Sequence, residues 1–202
     1  MPALQEYIRT LRSFQSERLR RDHADLAAEP QYRAIATFFF GEMYGPGDFS
    51  ARDKQAHRLH EFVQFAPGLA LHDVEQVLQL LALTNTLDAA VAARLSALAA
   101  PLDFDEPTYE RAYRMADAYT ERVLQIDLVR LSLYNVHQLA RKPLIGTVLR
   151  RTQALASTVG MSDLHRFLSV GYRAIQPVRD IYRFIETISV REQDRLDRIY
   201  KR

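Results

Sequence analysis

The sequence predicts an all-α fold, a single-domain helical bundle of seven or eight helices spanning residues 1–202. Three observations carry this. Apolar residues recur at three- and four-residue spacings through every long segment, the period of a helix with one buried face. Seven glycines and eight prolines interrupt a chain rich in the helix formers Ala, Leu, Arg and Glu. No stretch alternates apolar and polar residues long enough to make a strand, and no repeat of solenoid length is present.

The first helix is expected over about Ala3 to Ala27, with Leu4, Ile8, Leu11 and Leu19 on its inner side. Arg9, Arg12, Arg18, Arg20 and Arg21 are read as a solvated face. Pro30 opens a second helix to about Tyr44, at a position where its missing N–H costs little. Turning about 100° per residue, Tyr32, Ile35, Ala36, Phe38, Phe39, Phe40 and Met43 cover most of this helix, so it is buried on nearly all sides. Gly41 occupies the thin face left. Glu42 falls between Phe38, Ile35 and Phe39, where a carboxylate needs a partner or a proton. Gly45, Pro46 and Gly47 stop the helix. Ser50 and Asp53 start a third, to about Ala66, in a capping-box-like pairing. Arg52 is the nearest cation in sequence to Glu42, across that corner, and the two are expected to pair or to share a network.

Pro67 and Gly68 precede a fourth helix, about His72 to Ala99, in which Thr84, Asn85 and Thr86 mark a kink or a split. Pro107 starts a fifth helix that runs to about Arg141. Asp127 and Arg130 share its inner face three residues apart and are placed to pair. The sixth spans about Leu144 to Thr158 and ends at Gly160. Ser162 caps a seventh, about Asp163 to Tyr200, interrupted at Gly171 and Pro177. Glu192 and Arg195 continue its apolar stripe of Ile181, Phe184, Ile185 and Ile188. Either they join the buried charges or the helix has run past the core. The candidate buried polar network is therefore Glu42, Arg52, Asp127, Arg130, Glu192 and Arg195.

Several activities are disfavoured. The chain has no cysteine, which removes disulfides, cysteine zinc sites and thiol catalysis. The formal net charge is +2, with Arg and acids interspersed, so nucleic acid is a poor partner. No run approaches the roughly 20 apolar residues of a transmembrane helix, and no signal-type segment opens the chain, so a cytoplasmic location is expected. Glycine-rich phosphate loops, a Gly-x-Ser-x-Gly elbow and the Glu-x-x-His pairs of a di-iron bundle are all missing, and no catalytic residue, cofactor or metal is assigned. Asp53, His57 and His60, with Glu61, form the local cluster with ligand-like spacing. A partly exposed helix flank is the preferred reading of it. Tyr113 and Tyr134 share a face with Asp127. They line a polar pocket or, as preferred, bury their rings and hydrogen-bond a nearby carboxylate.

The stretch Phe38-Phe39-Phe40-Gly41-Glu42-Met43-Tyr44, continued by Gly45-Pro46-Gly47-Asp48-Phe49-Ser50-Ala51-Arg52-Asp53, resembles the bacterial FFLEELY-motif proteins. The likeness extends to Lys142-Pro143-Leu144-Ile145-Gly146, to the region from Gly160 to Gly171, and to Phe184-x-x-x-Ile188-x-x-Arg191-Glu192. Phe40, Gly41 and Met43 depart from the pattern, while Glu42 and Arg52 keep its inward acid and following arginine. The resemblance implies an uncharacterised helical protein and carries over no catalytic residue.

The leading expectation is a non-enzymatic interaction or self-assembling module with buried charge pairs, taking a protein partner or a second copy. A contiguous exposed apolar patch should mark it. The alternative is a helical protein that binds a small molecule, haem or metal between its helices.

Overall fold

A computed structural model describes residues 2–43, 54–55 and 71–202. The described residues form nine α-helices and no strand: α1 (Leu4–Asp22), α2 (Ala24–Ala28), α3 (Arg33–Phe38), α4 (Leu71–Ala97), α5 (Glu106–Met115), α6 (Tyr119–Ala140), α7 (Ile145–Thr158), α8 (Ser162–Ile175) and α9 (Ile181–Tyr200). The all-α class is as expected, and the helix count is higher. The third helix expected from the sequence, Ser50 to Ala66, lies outside the described residues apart from Lys54 and Gln55, which are helical.

Two unpredicted breaks raise the count. The first expected helix stops at Asp22, because His23 leaves helical geometry and turns fully inward before α2 resumes. The fifth expected helix breaks between α5 and α6, where Asp117 adopts a positive φ of 49°. Neither Gly nor Pro marks that corner. It is clamped instead by Tyr200 near the end of α9, whose hydroxyl accepts from the Ala118 N–H and donates to the Tyr113 carbonyl, both at 3.1 Å. Conversely, α4 runs through Thr84 to Thr86 without a break. The Thr86 hydroxyl bonds back to the Ala82 carbonyl at 3.0 Å, which keeps it within the helix. In the last segment Gly171 does not interrupt α8, and the break comes at Pro177. Gly171 is where the Phe38 ring packs: a Cβ there would lie 2.8 Å from Phe38 Cζ. Ser162 is the first residue of α8 rather than its cap.

The aromatic run begins as α3 and widens into a π turn over Phe39–Met43. Phe39 and Phe40 are buried and meet edge to face at 5.6 Å. Ser16 on α1 donates its hydroxyl to the Phe40 carbonyl at 2.7 Å, fixing the turn to the first helix. This turn belongs to the larger of two apolar clusters, with Tyr32, Leu80, Leu128, Phe184 and Ile185. The second cluster gathers Tyr7, Leu11, Val91, Leu95, Phe104 and Tyr109 at the other end of α1 and α4. Helix α6 packs against both α4 and α9.

Tyr200→Phe removes both hydrogen bonds of the α5–α6 corner. It should lower unfolding stability by about 1–2 kcal/mol, read by urea titration. An unchanged midpoint would mean that the corner holds without the clamp.

Candidate functional site

Charged side chains from three helices meet in the seam between the two clusters. Arg18, on the inner side of α1, is 7% exposed and forks onto Glu192 of α9 with bonds of 2.7 and 2.8 Å. His23 Nε2 approaches the same carboxylate at 3.1 Å. A carboxylate only accepts, so Nε2 carries the hydrogen. The His23 ring also stacks on Phe40, which ties the charges to the aromatic turn. Burial alone would raise the Glu192 pKa. The charge of Arg18, with hydrogen bonds from His23 and Arg18, outweighs it and holds the carboxyl down at about 2.

Arg195, one turn on, is also buried. It donates to Glu106 of α5 at 2.6 Å and approaches Glu110 and Asp22 at 3.5 and 3.6 Å. Arg18 reaches Asp22 as well, at 3.3 Å. The series Glu192, Arg18, Asp22, Arg195, Glu106 therefore alternates in sign and joins α1, α5 and α9. Glu192, partly buried, and Arg195, buried, both lie in this series, with partners from other helices.

A cavity of about 90 Å³ opens beside this series, walled by α1, α4, α5, α6 and α9. Arg18, Arg195 and Glu192 line it, with Asp88, Arg122, Gln125, Tyr109 and Tyr113. Asp88 is buried, which pushes its carboxyl pKa up against the pull of Arg122 and Arg12. Its nearest cation is Arg12 Nε at 3.5 Å. Arg122 donates to Gln125 Oε1 at 2.9 Å and lies over the Tyr113 ring, 4.5 Å from its centre. Burial raises the Tyr113 hydroxyl pKa. Arg18 Nε, Arg122 Nη2 and Arg195 Nε are buried without a hydrogen-bond partner.

The other expected residues are placed differently. Glu42 is only partly buried and pairs with Arg166 of α8 at 3.2 Å. Arg52, Asp53, His57 and His60 lie outside the described residues, as does any Glu42–Arg52 contact. Asp127 is exposed, so it does not belong to a buried network. Arg130 turns instead to Glu186 of α9 at 2.6 Å, where Tyr134 also donates at 3.2 Å. The angular offset of one residue is enough to carry Asp127 from the α9 side of α6 into solvent. Tyr134 thus does bond a carboxylate, but a different one. Tyr113 reaches the cavity wall. Among the described residues no three His, Asp or Glu side chains are grouped to hold a metal ion. Haem needs a pocket nearer the roughly 300–1,000 Å³ of drug-sized ligands than this cavity offers.

Sequence reasoning missed Arg18, His23, Asp88 and Arg122. Arg18 had a usable signal, since it follows Tyr7 and Leu11 at i+11 and i+7 on one helical face. It also missed a charge segregation. Residues 141–179 hold Arg141, Lys142, Arg150, Arg151, Arg166, Arg173 and Arg179 against Asp163 alone, leaving 20 cations to face 24 acids elsewhere. These residues include the α7–α8 hairpin. A groove of about 730 Å³ between the two helices is lined by Arg150, Arg151, Arg166, Arg173 and His165, with one acid, Asp163, and with Ser157, Ser162 and Ser169. Beside it α7 and its two cap residues expose an apolar stripe, Leu144, Val148, Leu155 and Val159, each between 44% and 73% accessible. Gly146 is the buried residue of α7.

Glu192→Gln leaves Arg18 buried without a full counter-charge and should cost about 3 kcal/mol at pH 7. The carboxyl is more acidic in the fold than its ordinary 4.5, so its contribution is complete above that value and fades as pH falls toward about 2. Urea titrations from pH 7 to pH 3 should show the gap between the two proteins narrowing on the acid side. A pH-independent gap would deny the pairing that role.

No helix among the described residues is long and apolar enough to cross a membrane. No curated protein and no solved structure matches the chain. A family described as a domain of unknown function, DUF8198, matches residues 1–202, and the chain belongs to that family.

Proposed function

We propose that this protein is a cytoplasmic, non-enzymatic docking module. Its α7–α8 hairpin receives an acidic, amphipathic segment of a partner protein. The observation that carries this is the conjunction on one hairpin of an arginine-lined groove and an exposed aliphatic stripe. Among the described residues Arg166 pairs with Glu42, and no other cation of residues 141–179 has a carboxylate within 4.0 Å. Unmatched cations attract an acidic partner and set its orientation. The stripe supplies the apolar area that an electrostatic contact lacks.

The shape of the surface favours a peptide segment over a bilayer, because a flat headgroup layer does not fill a groove. The aliphatic stripe disfavours nucleic acid, which has no complementary aliphatic surface to offer in place of phosphates. A second copy docked face to face would bring two strongly basic hairpins together, so self-assembly through this face is opposed by its own charge. The alternative of a ligand between the helices draws on the central cavity, a different part of the molecule.

The test is fluorescence anisotropy with a labelled helical peptide of alternating Glu and Leu faces, beside phosphatidylglycerol vesicles and a single-stranded RNA. The peptide should bind with an affinity that falls as salt rises. Arg150→Glu with Arg173→Glu should weaken it at least about tenfold, and Leu155→Asp should weaken it without lowering the melting temperature. Tighter binding to vesicles or RNA, or a peptide affinity indifferent to these changes, would overturn the proposal.

A further inference from the structure

The central cavity has a charge arrangement that architecture alone does not account for. Each acid on its wall already has a cation: Glu192 is forked by Arg18, and Asp88 faces Arg12. Arg195 has Glu106. Arg122 is left without a direct ion pair, and Asp88 acts on it only at longer range. Arg122 is 4% exposed, and among the described residues no carboxylate lies within 4.0 Å of it. Its contacts are the Gln125 side-chain oxygen and the face of Tyr113, and neither neutralises a guanidinium. Its Nη2 has no acceptor, and Arg18 Nε and Arg195 Nε on the same wall also lack one.

We propose that this cavity binds one small oxyanion, a carboxylate or a phosphate- or sulfate-type group, with Arg122 as its principal contact. A buried guanidinium with no carboxylate in direct contact is costly to a fold, and leaving its Nη2 donor without a protein acceptor adds to that cost. An oxyanion removes both costs together, because its oxygens accept from the planar fork that Arg presents. The size agrees. A volume of about 90 Å³ has room for a head group of a few non-hydrogen atoms. The three arginines come from α1, α6 and α9, so a bound anion would bridge helices far apart in sequence and raise the stability of the whole bundle. This inference is independent of docking at the hairpin.

The experiment uses the full chain at constant ionic strength, with sodium chloride replaced stepwise by sodium acetate, phosphate or sulfate. Calorimetry and thermal unfolding are read together, with acetamide as the neutral isostere of acetate. An oxyanion should bind saturably, one per chain, and raise the melting temperature. Arg122→Met should abolish the response, and Arg122→Lys, which keeps the charge but not the fork, should weaken binding about tenfold. The Arg150→Glu, Arg173→Glu protein should respond as the parent does, which separates the cavity from the surface groove. If Arg122→Met does not fold, the Arg122→Lys and groove variants still decide the matter. Absence of saturable oxyanion binding would overturn the proposal, as would a response that survives both Arg122 variants or vanishes with the groove cations. Acetamide bound without acetate would leave a ligand cavity but remove its anionic ligand.

Discussion

The molecule depends on one ion pair, Arg18 with Glu192, made across 174 positions of sequence. It fastens the first helix to the last at the place where the chain turns at His23. The residue before Glu192 grips the other side of the same turn: Arg191 forks onto Asp25 with two bonds of 2.7 Å and donates to the Asp22 carbonyl at 3.2 Å. Two adjacent side chains of α9 therefore hold both arms of a corner that has neither Gly nor Pro to define it. The His23 ring completes the link by stacking on Phe40, so the aromatic turn, the corner and the charges form one assembly. Backbone contacts between α1 and α9 are few among the described residues. A buried pair that tolerates no offset fixes their register, which is the best-attested service of buried charge.

Interior and surface handle charge in opposite ways. Inside, acids and arginines alternate so closely that little net charge is left, and Arg122 stands out against that background. Outside, the hairpin collects cations, and among the described residues only Arg166 is matched, by Glu42. The α7 helix contributes almost nothing to the core. Its close contacts run to α8, where Gly146 admits the Tyr172 hydroxyl and the Leu149 carbonyl meets His165 at 2.8 Å. A Cβ at position 146 would come within 2.6 Å of that hydroxyl. Among the described residues this helix is joined lightly to the rest of the protein and turns aliphatic side chains outward, which stability explains poorly.

The helical class and the inward course of Glu192 and Arg195 were legible in the sequence because periodicity reports burial directly. What escaped it has physical reasons. Arg18 sits on the inner face of α1, yet its neighbours Arg20 and Arg21 sit outside, and a cluster of like residues invites a single reading. Asp117 turns the chain with a residue type that tolerates positive φ without advertising it. Asp127 and Arg130 looked paired because they are three residues apart, a spacing that permits contact but does not weigh it against a better partner such as Glu186 on another helix. The basic hairpin was hidden by averaging, since a net charge of +2 is compatible with two regions of opposite sign.

Both cationic places speak to anionic partners, and solvent decides how differently they do so. The groove cations are exposed to solvent, so each contact there is weak and screened within about 8–10 Å at ordinary salt. Recognition at such a surface needs several charges acting together and an apolar component that salt does not touch. Arg122 is 4% exposed in the folded chain. Part of the desolvation penalty that normally opposes a buried ion pair is therefore met on the protein side before any ligand arrives. One guanidinium in that position can do what several surface arginines cannot, and the affinity it creates is less open to screening. The two places therefore differ in kind: the hairpin is built for a long segment held loosely at many points, and the cavity for one small group held at few.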